Sequence, residues 1–209
     1  HKMGLVYDQC NEYYSYANEL KSLSVEAFKK VAGTSWILHY NVIFQSNLIL
    51  DNLYRVQDLP KDRENFYKGH CYFAKGLMYY EIARRWGNAP ITRDAKSIDP
   101  LGRSDAKVVL DTALSNALKA FDLLKNYDEA VDYNGQKLKK YYAHKGAAAA
   151  LLANIYAWKG GLFNDSDAYE EAEKYCTLII ENKVGIYKMV DTPEEVCSVV
   201  MDRMSSESV

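Results

Sequence analysis

Proline breaks this 209-residue chain at only four positions, Pro60, Pro90, Pro100 and Pro193, and that scarcity constrains its fold more than any other feature. A proline lacks the N–H of the helical ladder and clashes with the turn before it, so helices stop where it stands. The intervals between these prolines are long. Their apolar residues recur at three- and four-residue spacing, the period of a helix buried along one side. No strand-turn-strand pattern interrupts them. An all-α architecture is expected.

Start and stop signals divide the chain into six helices. A weak opening helix is expected over Tyr7 to Ala32, ended by Gly33. A second spans Ser35 to Val56, capped by Thr34 or Ser35, with Leu38, Val42, Gln45, Ile49 and Leu53 as its inner stripe. A third opens at Pro60, carries Asp62 and Glu64 near its positive end, and stops at Gly87. After a loop from Gly87 to Gly102, Ser104 caps a fourth helix with Val108, Leu110, Leu114, Leu118, Phe121 and Leu124 at apolar positions. Asn126 to Gln136 is a polar loop. The fifth helix runs from Leu138 to Trp158, ended by Gly160-Gly161, and the sixth from Ala168 to Glu181. Thr192-Pro193-Glu194-Glu195 is a helix start, and Val196 to Met201 reads equally as helix or short strand.

The fifth and sixth helices form the best internal signal. In Leu152-Ala153-x-x-Tyr156 a large, a small and an aromatic residue share one face, and Ala168-Tyr169-Glu170-Glu171-Ala172 opens the partner helix. Cys176 and Ile179 are expected to continue that partner's inner face. This is the tetratricopeptide pattern, in which small residues let two helices approach while large ones fill the gaps between pairs. A weaker copy pairs the third and fourth helices, with Gly69, Ala74 and Tyr80 facing Ala113, Ala117 and Phe121. The fold class is thus all-α, with tetratricopeptide-like helix-turn-helix pairs in a right-handed superhelical layer and irregular loops. Stacked pairs of this kind bind proteins or extended ligands.

Charge and composition narrow the function. The net charge of −2 gives no electrostatic case for nucleic acid or anionic lipid. Tyrosine is abundant, 18 residues against 6 Phe and 3 Trp, and a ring with a polar tip suits both helix seams and surfaces that stack on flat ligands. Cys10, Cys71, Cys176 and Cys197 show no CxxC spacing and are expected as buried free thiols, with one disulfide among them as the alternative. No stretch reaches the roughly 18–20 apolar residues of a membrane span. Val6-Tyr7-Asp8-Gln9 before Cys10 does not fit a lipidation signal.

Four stretches resemble the SusD/RagB family of outer-membrane nutrient-binding lipoproteins. They are Trp36-x3-Tyr40-x2-Ile43-x3-Asn47-x2-Leu50; Gly69-x3-Phe73-Ala74 with Tyr79-Tyr80 and Arg84-Arg85-Trp86-Gly87-Asn88-Ala89-Pro90-Ile91; Ser104-Asp105 followed by Val108, Leu110, Ala117 and Leu124; and Lys145-Gly146 through Tyr156, Tyr169, Ala172 and Ile179-Ile180 to Tyr187. Their order and spacing carry the resemblance over Trp36 to Tyr187. Lys75 stands where the family has Arg, Gly76 where it has Ala, and Trp86 replaces an aromatic of another size.

The resemblance implies a surface lipoprotein of the cell outer membrane that captures oligosaccharide, or in some members peptide, and delivers it to a TonB-dependent outer-membrane barrel, without catalysis. Residues 1–191 would be its helical N-terminal domain and residues 192–209 the start of a second, less regular half. The lipid anchor is expected outside this chain. The family's ligand-contacting aromatics vary and lie largely in loops and in the other half, so no ligand-binding residue is carried over. Rings in or beside loops, Trp36, Tyr127, Tyr133 and Phe163, are candidates.

No catalytic constellation is visible. His1, His39, His70 and His144 lack metal-ligand spacing, and no cofactor is implied. His70 and Cys71 are helical neighbours pointing apart. Glu170, Glu171, Glu194 and Glu195 read as a solvated face. The alternative is a cytosolic tetratricopeptide adaptor binding a peptide in its groove. It would need regular repeats of about 34 residues, which the two long loops disfavour.

Overall fold

The structure is a computed structural model that describes residues 36–96, 99–132, 134–138 and 142–198, with side chains through Glu195. Its helices are α1 (Ile37–Asn52), α2 (Lys61–Trp86), α3 (Ala106–Leu123), α4 (Lys145–Phe163), α5 (Ser166–Ile180) and α6 (Pro193–Ser198). A short 3-10 turn, Leu53–Arg55, follows α1. No strand is present among the described residues, only isolated antiparallel bridges at Ala89–Ser104 and Val131–Lys137. The all-α expectation holds. The opening helix expected over residues 7–32, and the Thr34 or Ser35 cap, lie outside the described residues.

Local chemistry explains most helix ends. Pro60 stands just before α2, where its missing N–H costs nothing, and its carbonyl accepts the N–H groups of Arg63 and Glu64 at 2.9 and 3.0 Å. Asp62 and Glu64 occupy the first turn and Arg84 and Arg85 the last, in the sense that favours the helix dipole. Gly87 ends the helix at φ 69°, a left-handed backbone that suits a residue without Cβ. Asp105, not Ser104, caps α3, its carboxylate accepting the Lys107 N–H at 2.9 Å. Ser104 instead exchanges backbone hydrogen bonds with Ala89.

Both boundaries of α4 differ from expectation. Leu138 is buried but belongs to the loop, and α4 starts only at Lys145, where His144 Nδ1 accepts the Ala147 N–H at 3.1 Å. Gly160-Gly161 do not end α4, because an interior glycine weakens a helix by only about 1 kcal/mol and here serves packing. A Cβ on Gly160 would stand 3.0 Å from the Tyr169 ring of α5. The helix ends instead at Asn164, which adopts the left-handed conformation at φ 54°.

Consecutive helices pack side by side, α2 on α3, α3 on α4 and α4 on α5. The α4–α5 pair forms as expected, and Ala149 and Ala153 of α4 and Ala168 and Ala172 of α5 are buried. Its aromatic partner is Tyr175, stacked on Tyr156 at 5.8 Å between ring centroids, while Cys176 is exposed. The inner face of α5 follows Ala168, Ala172 and Tyr175 at spacings of four and three, which puts Cys176 one step off the seam. The α2–α3 pair closes over Gly76, where an added Cβ would lie 3.1 Å from the Ala117 backbone nitrogen and 3.3 Å from the Ala113 carbonyl.

The stripe expected for α1 faces the wrong way. Leu38, Val42, Gln45 and Ile49 are exposed, and only Leu53 of that set is buried. The buried residues are Ile43, Ser46 and Asn47. Because α1 is apolar on nearly every side, periodicity cannot choose its phase, and polar anchors do. Tyr40 donates to the Pro90 carbonyl at 2.6 Å, and Asn47 reaches Thr92 Oγ1 at 3.5 Å.

Candidate functional site

A polar cleft of about 630 Å³ opens where α1, α2, α3 and the loop after α2 meet. That volume lies within the roughly 300–1,000 Å³ of pockets that hold small molecules. Asn47 and Asp51 reach it from α1, one helical turn apart. Tyr72, Lys75 and Tyr79 line up along one face of α2 at spacings of three and four. Asp111, Ser115 and Lys119 line up along one face of α3 at spacings of four.

The loop wall is held rigidly. The Tyr79 ring is fully buried, and its hydroxyl accepts the Thr92 N–H at 3.0 Å and lies 3.2 Å from the Thr92 carbonyl, to which it donates. Asp51 Oδ2 accepts the Ala95 N–H at 2.9 Å. Burial pushes the Tyr79 phenol above its ordinary pKa, so it stays protonated as the loop's anchor.

Lys75 is the unusual member. It is 8% exposed, and no carboxylate among the described residues stands within ion-pairing distance of its ammonium. Burial, and then the Lys119 charge across the cleft, lower its pKa, with Asp51 opposing. Asn47, 1% exposed, leaves its Oδ1 buried with no hydrogen-bond donor. Asp111 is already paired with Lys159 at 2.8 Å. Lys119 lies over the Tyr72 ring at 5.3 Å. The cleft thus combines cations in excess of free acids with one unmet acceptor, an arrangement that can hold a ligand by charge and hydrogen bonds.

A smaller, mainly apolar cavity of about 230 Å³ lies among Pro60, Phe66, His70, Leu124 and Leu138. His70 Nδ1 faces the Phe66 carbonyl at 2.8 Å, so that nitrogen carries the proton, and Nε2 is buried without a partner. Burial holds this histidine below its ordinary pKa, and it is neutral. Its neighbour Cys71 points elsewhere and is buried, its thiol pushed up to about 11 by burial.

The ring candidates do not gather. Trp36 is half-buried just before α1. Tyr127 packs on His144 and Tyr187, with centroids 6.0 and 5.9 Å away. Phe163 ends α4 beneath the Lys107 ammonium at 5.8 Å. Tyr133 lies outside the described residues, as do His1, Cys10 and the side chain of Cys197. None of the three described rings lines the large cleft. Glu171 pairs with Lys174, and Glu195 accepts the N–H groups of Asp191 and Thr192. No group of three or more potential metal ligands occurs among the described residues.

Asn47 and Lys75 were visible in the sequence as fingerprint positions, not as a site. Their signal was polarity on helix faces that otherwise pack.

Helix pairs stacked in a layer, with a polar cleft at one junction, define a helical-repeat binding scaffold. A family model for SusD-like proteins, described as starch-binding and associating with the outer membrane, matches residues 5–157. The chain belongs to this family. It is 29% identical over 157 residues to the SusD-like protein P25 of Formosa agariphila, covering 71% of this chain and 28% of that protein. Solved structures share the fold. A SusD homolog from Bacteroides thetaiotaomicron superposes with a TM-score of 0.69 at 20% identity, over 82% of this chain and 32% of its own. Bacteroides fragilis NanU superposes with a TM-score of 0.64 at 20% identity, over 78% and 31%. The chain therefore spans about a third or less of the length of these relatives.

Proposed function

We propose that this chain is the helical part of a surface-exposed outer-membrane lipoprotein that binds oligosaccharide without chemistry and passes it to a TonB-dependent barrel. The observation that supports this most is the family match over residues 5–157, whose description joins starch binding to the outer membrane. In this reading residues 1–191 form the helical domain and residues 192–209 begin a second, less regular half. A lipid anchor at the N-terminus of the mature lipoprotein would hold it at the membrane. None of the helices among the described residues is long and apolar enough to cross a membrane. The extended layer α2–α5 offers the large surface a partner barrel needs, since helical-repeat faces bury wide areas.

Purification of the intact protein from detergent-solubilised membranes tests the partner. Recovery of a TonB-dependent barrel is the expected result, and recovery of a soluble cytosolic protein instead would favour a peptide-binding adaptor. Incubation with surface polysaccharide tests the chemistry. The glycan should be retained on the protein and released without shorter products in chromatography.

A further inference from the structure

We infer that the cleft over Asn47 and Lys75 takes a hydroxylated carboxylate, the chemistry of a uronic-acid residue in an acidic oligosaccharide. The inference rests on the proposed glycan binding and narrows its substrate class.

Three observations carry it. First, Lys75 is almost fully buried, and its ammonium meets no carboxylate within ion-pairing distance among the described residues. Its stem is buried while the ammonium opens on the cleft without a counter-charge, a position that favours an anion there. Second, the cations around it exceed the available acids. Lys119 and Arg93 line the same cleft, whereas Asp111 is engaged by Lys159 and Asp51 gives one oxygen to the Ala95 N–H. Third, Asn47 Oδ1 is buried with no donor, and an unmet buried acceptor calls for a hydroxyl or N–H.

Together these demands exclude simpler occupants. A neutral sugar supplies hydroxyl donors but leaves Lys75 uncompensated. Inorganic sulfate compensates the charge but offers Asn47 no donor. An amino acid brings both groups together with an ammonium that Lys75, Lys119 and Arg93 would repel. A sugar acid supplies a carboxylate and several hydroxyls on one rigid ring. The cleft is open enough at about 630 Å³ to admit that ring as part of a chain.

The test is titration of the 209-residue chain by calorimetry with D-glucuronate, D-glucose and inorganic sulfate in turn. Glucuronate should bind most tightly. Lys75→Met should weaken it about tenfold or more, the loss expected for a hydrogen bond to a charged group. Lys75→Arg should retain part of the binding. Lys119→Gln, at an exposed position, should weaken glucuronate severalfold and leave the melting temperature unchanged, so it decides the matter if Lys75→Met fails to fold. Glucose binding as tight as glucuronate would overturn the inference, and so would sulfate competing on equal terms. Glucuronate affinity unaltered in Lys75→Met or Lys119→Gln would place any binding elsewhere. Failure here, with neutral polysaccharide still captured by the intact protein, would leave the proposed function standing. Loss of polysaccharide capture with glucuronate still bound would instead overturn that function and keep the cleft.

Discussion

Replacing Gly76 by alanine probes the closest approach in the helical layer. Two effects oppose each other. Alanine is the better helix former, worth about 1 kcal/mol in a helix interior. Its Cβ, however, would sit 3.1 Å from the Ala117 nitrogen, 3.3 Å from the Ala113 carbonyl oxygen and 3.4 Å from the Ala117 Cα. All three are backbone atoms of α3, so no rotamer change can make room, and the helices themselves must separate by a few tenths of an ångström. Overpacking of this kind costs about 1–3 kcal/mol. The net expectation is a loss of up to about 2 kcal/mol.

Gly161→Ala supplies the control. It lies in α4, where an added Cβ meets only the hydroxyl tip of exposed Tyr169 at 3.3 Å. That tip can swing away, so the propensity gain should survive as a stabilisation of up to about 1 kcal/mol. For a chain of this size each kcal/mol moves the melting temperature by about 2–4 °C. Thermal unfolding followed by circular dichroism should therefore separate the two variants by several degrees, with Gly76→Ala below the parent and Gly161→Ala at or above it. If Gly76→Ala rises as much as Gly161→Ala, α3 does not press on α2 at this point, and the layer's geometry is wrong.

Three further outcomes are expected. Ala153→Leu should overpack the α4–α5 seam, where Ala153 is 7% exposed, and lower stability by about 1–3 kcal/mol; an unchanged melt would refute that seam. Tyr79→Phe should strip the Thr92 N–H of its acceptor at 3.0 Å, costing about 1–3 kcal/mol, and speed amide exchange at Thr92 and Ala95; unchanged exchange would show that the loop is held by other contacts. Burial holds His70 below its ordinary value of 6.5, so the unfolded chain takes up the proton first. Its contribution is then constant above pH 6.5 and stability falls as pH drops below that value. The melting temperature should decline between about pH 7 and 5, and His70→Leu should flatten that slope; equal slopes would mean that other groups, such as His39, whose pKa burial also lowers, set it.

The order and identity of the helices were legible in the sequence because prolines, glycines and capping residues mark their ends by local chemistry. What the sequence hid was set by tertiary contact. Periodicity could not orient α1, whose apolar residues occupy several faces, until the Tyr40 and Asn47 hydrogen bonds to the 90–92 loop chose one. Leu138 fits a helix by spacing, yet it is buried from the loop, tied to the Ala130 carbonyl at 3.0 Å. Gly160 reads as a stop and serves as a seat for the Tyr169 ring. The cleft was the least legible feature, because its residues come from three helices and a loop far apart in sequence. Only the polarity of Asn47 and Lys75 on packing faces announced it.

Ala89 and Ser104 form a neck at the base of the loop after α2. Their two backbone hydrogen bonds, 3.1 and 2.9 Å long, close the excursion that supplies Ile91, Thr92 and Arg93 to the cleft wall. Backbone bonds hold whatever side chains the excursion carries, and doubling the length of a flexible loop costs only about 0.6 kcal/mol in closure entropy. The segment beyond Thr92 is therefore a replaceable cassette. Substitutions or insertions there can recut the mouth of the cleft while α2 and α3 keep their register, so selection can retune what is admitted without refolding the scaffold.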